Sequence, residues 1–218
     1  MELTENIYCI GDTHGCINTL LALVNRLPKD AKLIFLGDMC DKGNFTKEVI
    51  SFIKDNGHIA IKGNHDYMME KYLKDSILKN KESLWTSSSW GGYKTVNNYK
   101  NNLELMEEHL KFISELPLYI EVERYFLTHG FGLPYYNRRN EVTKQLLSNR
   151  LEREYPDWED FSKYNIINIY GHCDYNKVMY GDNYIGIDTG CVYGRKLTAL
   201  NLFTNKIIQE DVFEEDIV

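Results

Sequence analysis

Short apolar runs alternate with segments of helical periodicity through the first third of the chain. Residues 7–10 (IYCI) predict a buried strand, and apolar residues then recur at helical spacing over 17–27. The same order repeats twice more, with strands predicted at 33–36 and 59–61 and helices at 46–55 and 67–78. This alternation predicts a layered α/β domain.

The second half of the chain returns to strands after a loop and a helix. Residues 87–92 are rich in Ser and Gly and predict a loop. A helix is predicted at 103–115, followed by strands at 118–122, 125–128, 166–170, 184–187 and 197–202. At 218 residues we expect one domain, with a variable substrate-facing insertion over 132–163 that is polar, aromatic and partly helical.

Composition narrows the class of protein. The formal net charge of −7 disfavours a nucleic-acid-binding surface. No apolar run is long enough to cross a membrane and no secretory signal is visible, so we expect a cytoplasmic protein with no membrane contact. The five cysteines predict reduced thiols that pack as small hydrophobes, although four lie near the motifs below and leave oxidant sensitivity as an alternative.

Metal-capable residues follow five of the predicted strands. In open α/β sheets ligands bind beyond the carboxyl ends of the strands, so these five segments are expected to meet at one edge. Each of these segments alone occurs often by chance, but all five in this order, each after a predicted strand, favour a metal site. The segments are 11–15 (GDTHG), 37–43 (GDMCDKG), 63–66 (GNHD), 129–130 (HG) and 171–172 (GH).

Asp, His and Asn supply mixed oxygen and nitrogen ligands that suit manganese, iron or zinc. One residue separates Asp12 from His14, which puts both side chains on one face of an extended segment. The two oxygens of Asp38 are able to bridge two metal ions. His58 and His109 lie outside these motifs and are expected to be ordinary surface or core histidines.

From residue 7 to about 202, these motifs resemble those of the phosphoprotein phosphatase family of metallophosphoesterases. The similarity extends to its compact bacterial and phage members and to symmetrical dinucleoside tetraphosphatases, including the segment 187–194 (IDTGCVYG). Three positions depart from the family pattern. Lys42 replaces the usual arginine, Asp66 replaces the glutamate of most protein phosphatases, and 171–174 (GHCD) replaces GHTP.

The resemblance implies an α/β (α+β) fold, the calcineurin-like β-sandwich flanked by helices in four αββα layers. It also implies two divalent metal ions, with manganese as the first choice and iron or zinc as alternatives. By the resemblance, the first ion is held by Asp12, His14 and Asp38, and the second by Asp38, Asn64, His129 and His172.

The implied reaction is direct hydrolysis, in which a metal-bridging hydroxide attacks phosphorus in line. His65 is the expected general acid, with Asp41 holding its imidazole in the charged form. Lys42 and Arg150 are the expected cations for the phosphate. The alternatives are a turn-stabilising role for Asp41 and, for Arg150, an exposed helical arginine paired with Glu154.

Three functions remain open. The leading hypothesis is a serine/threonine-type phosphoprotein phosphatase, whose partner is a phosphorylated protein. The alternative is a symmetrical bis(5'-nucleosyl)-tetraphosphatase acting on a small dinucleotide, favoured by GNHD and by the stacking potential of Tyr135, Tyr136 and Trp158, for which packing is the more ordinary role. A metal-holding regulator without catalysis is disfavoured by the complete ligand set and by His65.

Overall fold

The computed structural model describes residues 2–151 and 165–218. The strands are β1 Ile7–Ile10, β2 Lys32–Phe35, β3 Ile59–Ala60, β4 Tyr119–Val122, β5 Tyr125–Thr128, β6 Ile167–Tyr170, β7 Met179–Gly181, β8 Tyr184–Gly186, β9 Lys196–Asn201 and β10 Ile207–Asp211. The α-helices are α1 Ile17–Val24, α2 Thr46–Asp55, α3 Asn64–Leu78, α4 Gly92–Tyr99, α5 Leu103–Ser114, α6 Lys144–Ser148 and α7 Glu214–Ile217. Short 3-10 helices cover Leu84–Thr86, Leu133–Arg138 and Cys191–Tyr193.

The first sheet has the order β10-β9-β1-β2-β3. Its strands β1, β2 and β3 are parallel, and β9 and β10 run antiparallel to their neighbours. Ile10 pairs with Phe35, which pairs with Ala60, so the three parallel strands end at the same level. The loops that leave them therefore start side by side.

The second sheet has the order β4-β5-β6-β8-β7. Here β5, β6 and β8 are the parallel strands. Thr128 pairs with Tyr170, and Tyr170 pairs with Gly186, so these strands also end together. Each sheet thus presents three strand ends at one edge.

The two sheets pack face to face. Ile7 and Cys9 of β1 are fully buried with Leu127 and Ile169 of the second sheet, in one apolar cluster. Tyr8 and Ile10 alternate to the other face and pack with residues of the helices. A strand buried on both faces is apolar at every position, which explains the unbroken run that predicted β1. The structure confirms the predicted fold class, two sheets flanked by helices.

The outer face of the second sheet carries the 3-10 helix Leu133–Arg138. Asn168 of β6 is buried there, and its Oδ1 accepts hydrogen bonds from the backbone N–H groups of Gly132 and Leu133 at 2.9 and 3.1 Å. Its Nδ2 donates to the carbonyl of Phe126 at 2.8 Å. One amide thus fixes this helix to the sheet. The proposed insertion over 132–163 contains this helix and α6, and 152–164 lie outside the described residues.

Some elements differ from the sequence-based expectation. α3 begins at Asn64 rather than at residue 67, which places the GNHD motif in its first turn. α4 was not expected, because its glycine and paired asparagines disfavour a helix. β10 was missed because its QED sequence is polar and partly exposed. In the described part of the chain, every helix is too short or too polar for a membrane span.

Candidate metal centre and active site

The ends of the parallel strands meet at one cavity of about 430 Å³. β1 leads to Asp12, β2 to Asp38, β5 to His129 and β6 to His172. The cavity is lined by Asp12, His14, Asp38, Lys42, Asn64, His65, Ser89, Trp90, Ser148, Arg150, His172, Asp174, Asp188 and Tyr193. Of the ten predicted site residues, only Asp41 and His129 do not line the cavity, and both are completely buried.

Two histidines are oriented by backbone carbonyl groups. His14 donates from Nδ1 to the carbonyl of Cys40 at 2.7 Å, and His129 donates from Nδ1 to the carbonyl of Leu36 at 2.7 Å. The Nε2 atoms then lie 3.5 and 3.3 Å from the carboxylate of Asp38. Metal-binding histidines characteristically have this outer hydrogen bond, which fixes the tautomer and the ring orientation.

Asp38 lies between the two histidines. Its Oδ2 faces His14 and its Oδ1 faces His129, and Oδ1 also accepts the backbone N–H of His65 at 2.9 Å. The backbone φ of Asp38 is +50°, a left-handed conformation that is unfavourable for a residue with a side chain. His172 has φ +61°, so strained backbone coincides with the predicted ligands.

The remaining predicted ligands, Asn64, Asp12 and His172, lie next to Asp38 and the two histidines beside it. The amide oxygen of Asn64 lies 2.9 Å from His129 Nε2. The backbone N–H of His172 donates to the carboxylate of Asp12 at 3.1 and 3.2 Å, which links the turn after β1 to the turn after β6. The structure therefore brings all six predicted ligands together.

The arrangement fits divalent metal ions. The ligand atoms of Asp38, His129 and His172 all lie within 4.8 Å of one another, as do those of His14, Asp38 and His65. Two glycines permit this crowding. A Cβ at Gly63 would overlap the carboxylate of Asp38, and a Cβ at Gly171 would overlap that of Asp12. Buried oxygen and imidazole ligands without thiolates suit manganese, iron or zinc.

Burial and the charges of neighbouring groups strongly shift the pKa values of the predicted ligands. Burial and the neighbouring Asp188 raise the pKa of Asp12 well above its usual value. Burial opposes the charged form of His129, but Asp38 and Asp12 outweigh it and raise the pKa of His129 to about 10. Burial and the charge of His129 lower the pKa of His172 to about 3. An ion that binds His129 through Nε2 must therefore displace a proton.

His65 and Asp41 form a buried pair beside the predicted ligands. Nδ1 of His65 donates to Oδ2 of Asp41 at 2.7 Å. The His65 ring packs edge-on against His14 with the centroids 4.7 Å apart, and it contacts Trp90 at 5.0 Å. Because Nδ1 is hydrogen-bonded to Asp41, Nε2 is the ring nitrogen of His65 that is available to a substrate in the cavity. Asp41 binds a side chain here, so it does more than stabilise a turn.

Cationic side chains also line the cavity. Lys42 Nζ lies 3.2 Å from His14 Nε2 and 5.0 Å from the ring centre of Tyr193. Arg150 follows Asn149, which donates to the carbonyl of Phe131 at 2.7 Å and so ties this segment to the turn after β5. Because α6 ends before Arg150, Arg150 is not the helical residue of the alternative prediction, and Glu154 lies outside the described residues.

Of the aromatic residues named for base stacking, Tyr136 takes the packing role that was the more ordinary expectation. Tyr136 packs against Phe126 with the ring centres 5.1 Å apart, and neither it nor Tyr135 lines the main cavity. Trp158 lies outside the described residues. Among residues 2–151 and 165–218, Trp90 and Tyr193 are the Trp, Tyr or Phe side chains that line the cavity, and neither was singled out from the sequence.

The supporting roles of two carboxylates were not predicted from the sequence. Asp188 follows β8, lines the cavity and is 6% exposed. Its position after a parallel strand was the same signal that marked the other segments. Asp66 is fully buried and binds the backbone N–H groups of Asp38 and Met39 at 2.8 and 2.9 Å. Only its place in the GNHD motif pointed to it.

The other cysteine and histidine predictions agree with the structure. All five cysteines are buried and free. His109 is buried in the helical layer, where it hydrogen-bonds Tyr99 at 2.6 Å and Ser51 at 3.2 Å. His58 packs between Phe35 and Phe52. Neither histidine lies in the cavity.

Comparison with known proteins identifies the family. Residues 5–186 match the family model of the calcineurin-like phosphoesterases. The chain is 26% identical to the asymmetrical bis(5'-nucleosyl)-tetraphosphatase PrpE of Anoxybacillus flavithermus, over 88% of each chain.

Two solved structures share the fold. One is of a protein proposed to be a diadenosine tetraphosphatase, with a TM-score of 0.67 and 21% identity over 95% of this chain and 94% of the other. The second is a serine/threonine protein phosphatase from Saccharomyces cerevisiae, with a TM-score of 0.67 and 15% identity over 98% and 84%. The chain belongs to the calcineurin-like phosphoesterase family and is a metal-dependent hydrolase of phosphate esters.

Proposed function

We propose that this enzyme cleaves dinucleoside tetraphosphates asymmetrically, into a nucleoside triphosphate and a nucleoside monophosphate. The observation that carries this choice is the lining of the cavity, where two aromatic side chains, Trp90 and Tyr193, and two cations from the described part of the chain surround the predicted metal ligands. A relative matched over 88% of the chain bears the name of this activity. The sequence motifs had placed a serine/threonine phosphatase first and symmetrical cleavage second.

The metal assignment follows the predicted ligands. One ion would be held by Asp12, His14 and Asp38, and a second by Asp38, Asn64, His129 and His172; all of these except the buried His129 line the cavity. Such ions lower the pKa of water and neutralise phosphate charge. Manganese is the first choice, and iron or zinc are the alternatives. Metal analysis of manganese-loaded protein should find two ions per chain, and a single tetrahedral zinc would contradict the assignment.

The side chains around the ions perform the remaining steps. His65 donates a proton from Nε2 to the leaving oxygen, while Asp41 holds Nδ1. Lys42 and Arg150 bind the non-bridging phosphate oxygens, where negative charge develops. Both phosphomonoesters and polyphosphates present these oxygens, so the cations alone do not select the substrate.

Selection is assigned to the aromatic residues of the cavity. Tyr193 is 53% exposed and lines the cavity, with the cationic groups of Lys42 and Arg195 at 5.0 and 5.8 Å from its ring centre. We assign the stacking of a nucleobase to the exposed part of this ring. Its short helix lies between Gly190 and Gly194, both in left-handed conformations that favour glycine. Trp90 lines the same cavity and packs on His65. Stacking of a base on an aromatic ring contributes about 1–3 kcal/mol, whatever the base.

The test compares substrates in parallel on the manganese-loaded enzyme. Diadenosine tetraphosphate should be cleaved to ATP and AMP at a higher kcat/KM than any member of a phosphoserine and phosphothreonine peptide panel. Two molecules of ADP would indicate symmetrical cleavage instead. Faster hydrolysis of a peptide would restore the serine/threonine phosphatase hypothesis.

A matched pair of tyrosine variants tests the stacking surface. Tyr193→Ala should raise KM for diadenosine tetraphosphate by about five-fold or more, as expected for the loss of one stacked base. Activity on p-nitrophenyl phosphate, which has no nucleobase, should change little. Tyr180→Ala is the control, because Tyr180 is 56% exposed on β7 and does not line the cavity. Equal KM values in the two variants would exclude Tyr193 as the stacking residue.

A further inference from the structure

The carboxylate of Asp41 is held by more than His65. It is completely buried, and its Oδ2 accepts a hydrogen bond from the indole Nε1 of Trp85 at 2.7 Å. Its Oδ1 accepts from the hydroxyl of Thr95 at 2.6 Å. That hydroxyl in turn accepts the backbone N–H of Asp41 at 3.0 Å. Both carboxylate oxygens are thus engaged by groups from a different part of the chain.

These contacts determine the orientation of the carboxylate. The terminal torsion of an aspartate is broad, so a single bond to His65 would leave the carboxylate plane free to turn. Thr95 fixes one oxygen and Trp85 fixes the other, which leaves Oδ2 aimed at His65 Nδ1 at 2.7 Å. The imidazole is then held by Asp41 at Nδ1 and contacts the tilted ring of Trp90, 5.0 Å away between ring centres.

The segment that supplies these donors contains none of the predicted metal ligands. Trp85 lies in the 3-10 helix Leu84–Thr86 and Thr95 lies in α4. Gly92 opens α4 directly against the indole, where a Cβ would overlap the ring of Trp85. The close approach of α4 to Trp85 therefore requires glycine, and it brings both donors to the same carboxylate.

We propose that Trp85 and Thr95 are positioning residues, which orient Asp41 and through it the proton donor His65. The inference rests on the proposed role of His65 as the general acid. Trp85 is also a large buried side chain of the helical core, so a purely structural role is the competing explanation. The two explanations differ in which substrates are affected.

The experiment uses phenyl phosphate and p-nitrophenyl phosphate, two esters of similar size. Phenolate needs a proton to leave far more than nitrophenolate does, so loss of the positioned acid should affect phenyl phosphate selectively. In Trp85→Phe and Thr95→Val, kcat for phenyl phosphate should fall about ten-fold or more, which is part of the roughly 10²–10⁴-fold that general acid catalysis contributes as a whole. For p-nitrophenyl phosphate, kcat should fall less than about two-fold.

Two further variants separate positioning from packing. Thr95→Ser keeps the hydroxyl and should restore the wild-type ratio of the two activities. Thr46→Val removes a neighbouring hydroxyl, which lies 3.3 Å from the Thr95 hydroxyl and makes no hydrogen bond to Asp41. This control should leave the ratio of the phenyl phosphate and p-nitrophenyl phosphate activities unchanged. If Trp85→Phe fails to fold, the two Thr95 variants still decide the matter.

A reference variant distinguishes failure of this inference from failure of the proposed acid. His65→Asn should itself lose much more activity on phenyl phosphate than on p-nitrophenyl phosphate. Equal losses in His65→Asn would overturn the role of His65, and the positioning role with it. A selective loss in His65→Asn, together with equal losses on both esters in Trp85→Phe and Thr95→Val, would overturn the positioning role alone.

Discussion

The buried carboxylate of Asp66 offers a sharp test of how the metal centre is held. Its Oδ2 accepts the backbone N–H groups of Asp38 at 2.8 Å and Gly63 at 2.9 Å, and its Oδ1 accepts that of Met39 at 2.9 Å. These bonds join the turn after β2 to the start of α3. They also support Asp38 in its left-handed conformation.

The change to test is Asp66→Asn, which keeps the shape and removes one acceptor. The best orientation of the amide points its nitrogen at Met39, because the remaining oxygen then still serves Asp38 and Gly63. One buried N–H then lacks a partner, which costs about 1–3 kcal/mol, and two bonds lose the benefit of a charged acceptor. The free energy of unfolding should fall by about 2–4 kcal/mol.

Metal affinity should fall as well, because Asp38 is the proposed bridging ligand. Loss of a group that supports a ligand typically weakens metal binding about 10–100-fold. Asp216→Asn is the matched control. Asp216 is also a fully buried carboxylate, and it accepts four hydrogen bonds from Asn18 and Thr19 at the start of α1, none of them from a proposed ligand. Its loss should reduce stability and leave metal affinity unchanged.

Urea unfolding of the metal-free proteins gives the stability change, and calorimetric titration with Mn²⁺ gives the affinity. We expect both variants to be less stable and only Asp66→Asn to bind Mn²⁺ more weakly. Wild-type affinity in a destabilised Asp66→Asn would refute the idea that Asp66 supports the metal centre. Equal weakening in Asp216→Asn would show that affinity merely follows global stability.

Lys42 beside the substrate phosphate, Gly171 beside a predicted metal ligand and the buried His109 can each be tested by substitution. Lys42→Ala should lower kcat/KM about ten-fold or more at matched metal occupancy, as expected for loss of a charge-assisted hydrogen bond of about 1.5–3 kcal/mol. Lys42→Arg should retain much of the activity. Wild-type kinetics in Lys42→Ala would exclude a contact between Lys42 and the substrate phosphate. Gly171→Ala should abolish tight Mn²⁺ binding in titration, because the new Cβ overlaps the Asp12 carboxylate. Normal Mn²⁺ binding would contradict the requirement for glycine next to this ligand. Burial lowers the pKa of His109 from 6.5 to about 4, so its contribution to stability is present above pH 6.5 and is lost as the pH falls toward 4. The unfolding free energy of His109→Gln should therefore depend less on pH in that window, and an unchanged slope would contradict this.

The positions of the predicted ligands followed from local sequence. A strand buried on both faces must be apolar throughout, and the turn that follows needs glycine where backbones approach closely. Ile7–Ile10 followed by Gly11 and Asp12 carries both signals within six residues. An apolar strand and Gly37 likewise precede Asp38, and a strand precedes His129 with Gly130 after it, so the metal-capable residues could be assigned to strand ends without knowledge of the sheet order.

The start of α3 shows where local signals fail. Asn64 and His65 lie in its first turn, but polar residues at a helix start give no apolar periodicity, so the helix was predicted to begin later. α4 has the same difficulty. Its sequence disfavours a helix, and it is stabilised by burial of Thr95 and Tyr99 against residues distant in the chain.

The supporting groups of the site were decided only by tertiary structure. Trp85 lies 44 residues from Asp41, and Asp66 lies 28 residues from Asp38, so no local pattern links either pair. Arg150 and Tyr193 likewise line the cavity together with residues that are distant from them in the chain. Local sequence specified the ligand types and their order, because strand burial and turn geometry act over a few residues. The orientation of each ligand depends on hydrogen bonds between distant segments, which exist only after the sheets and helices have packed.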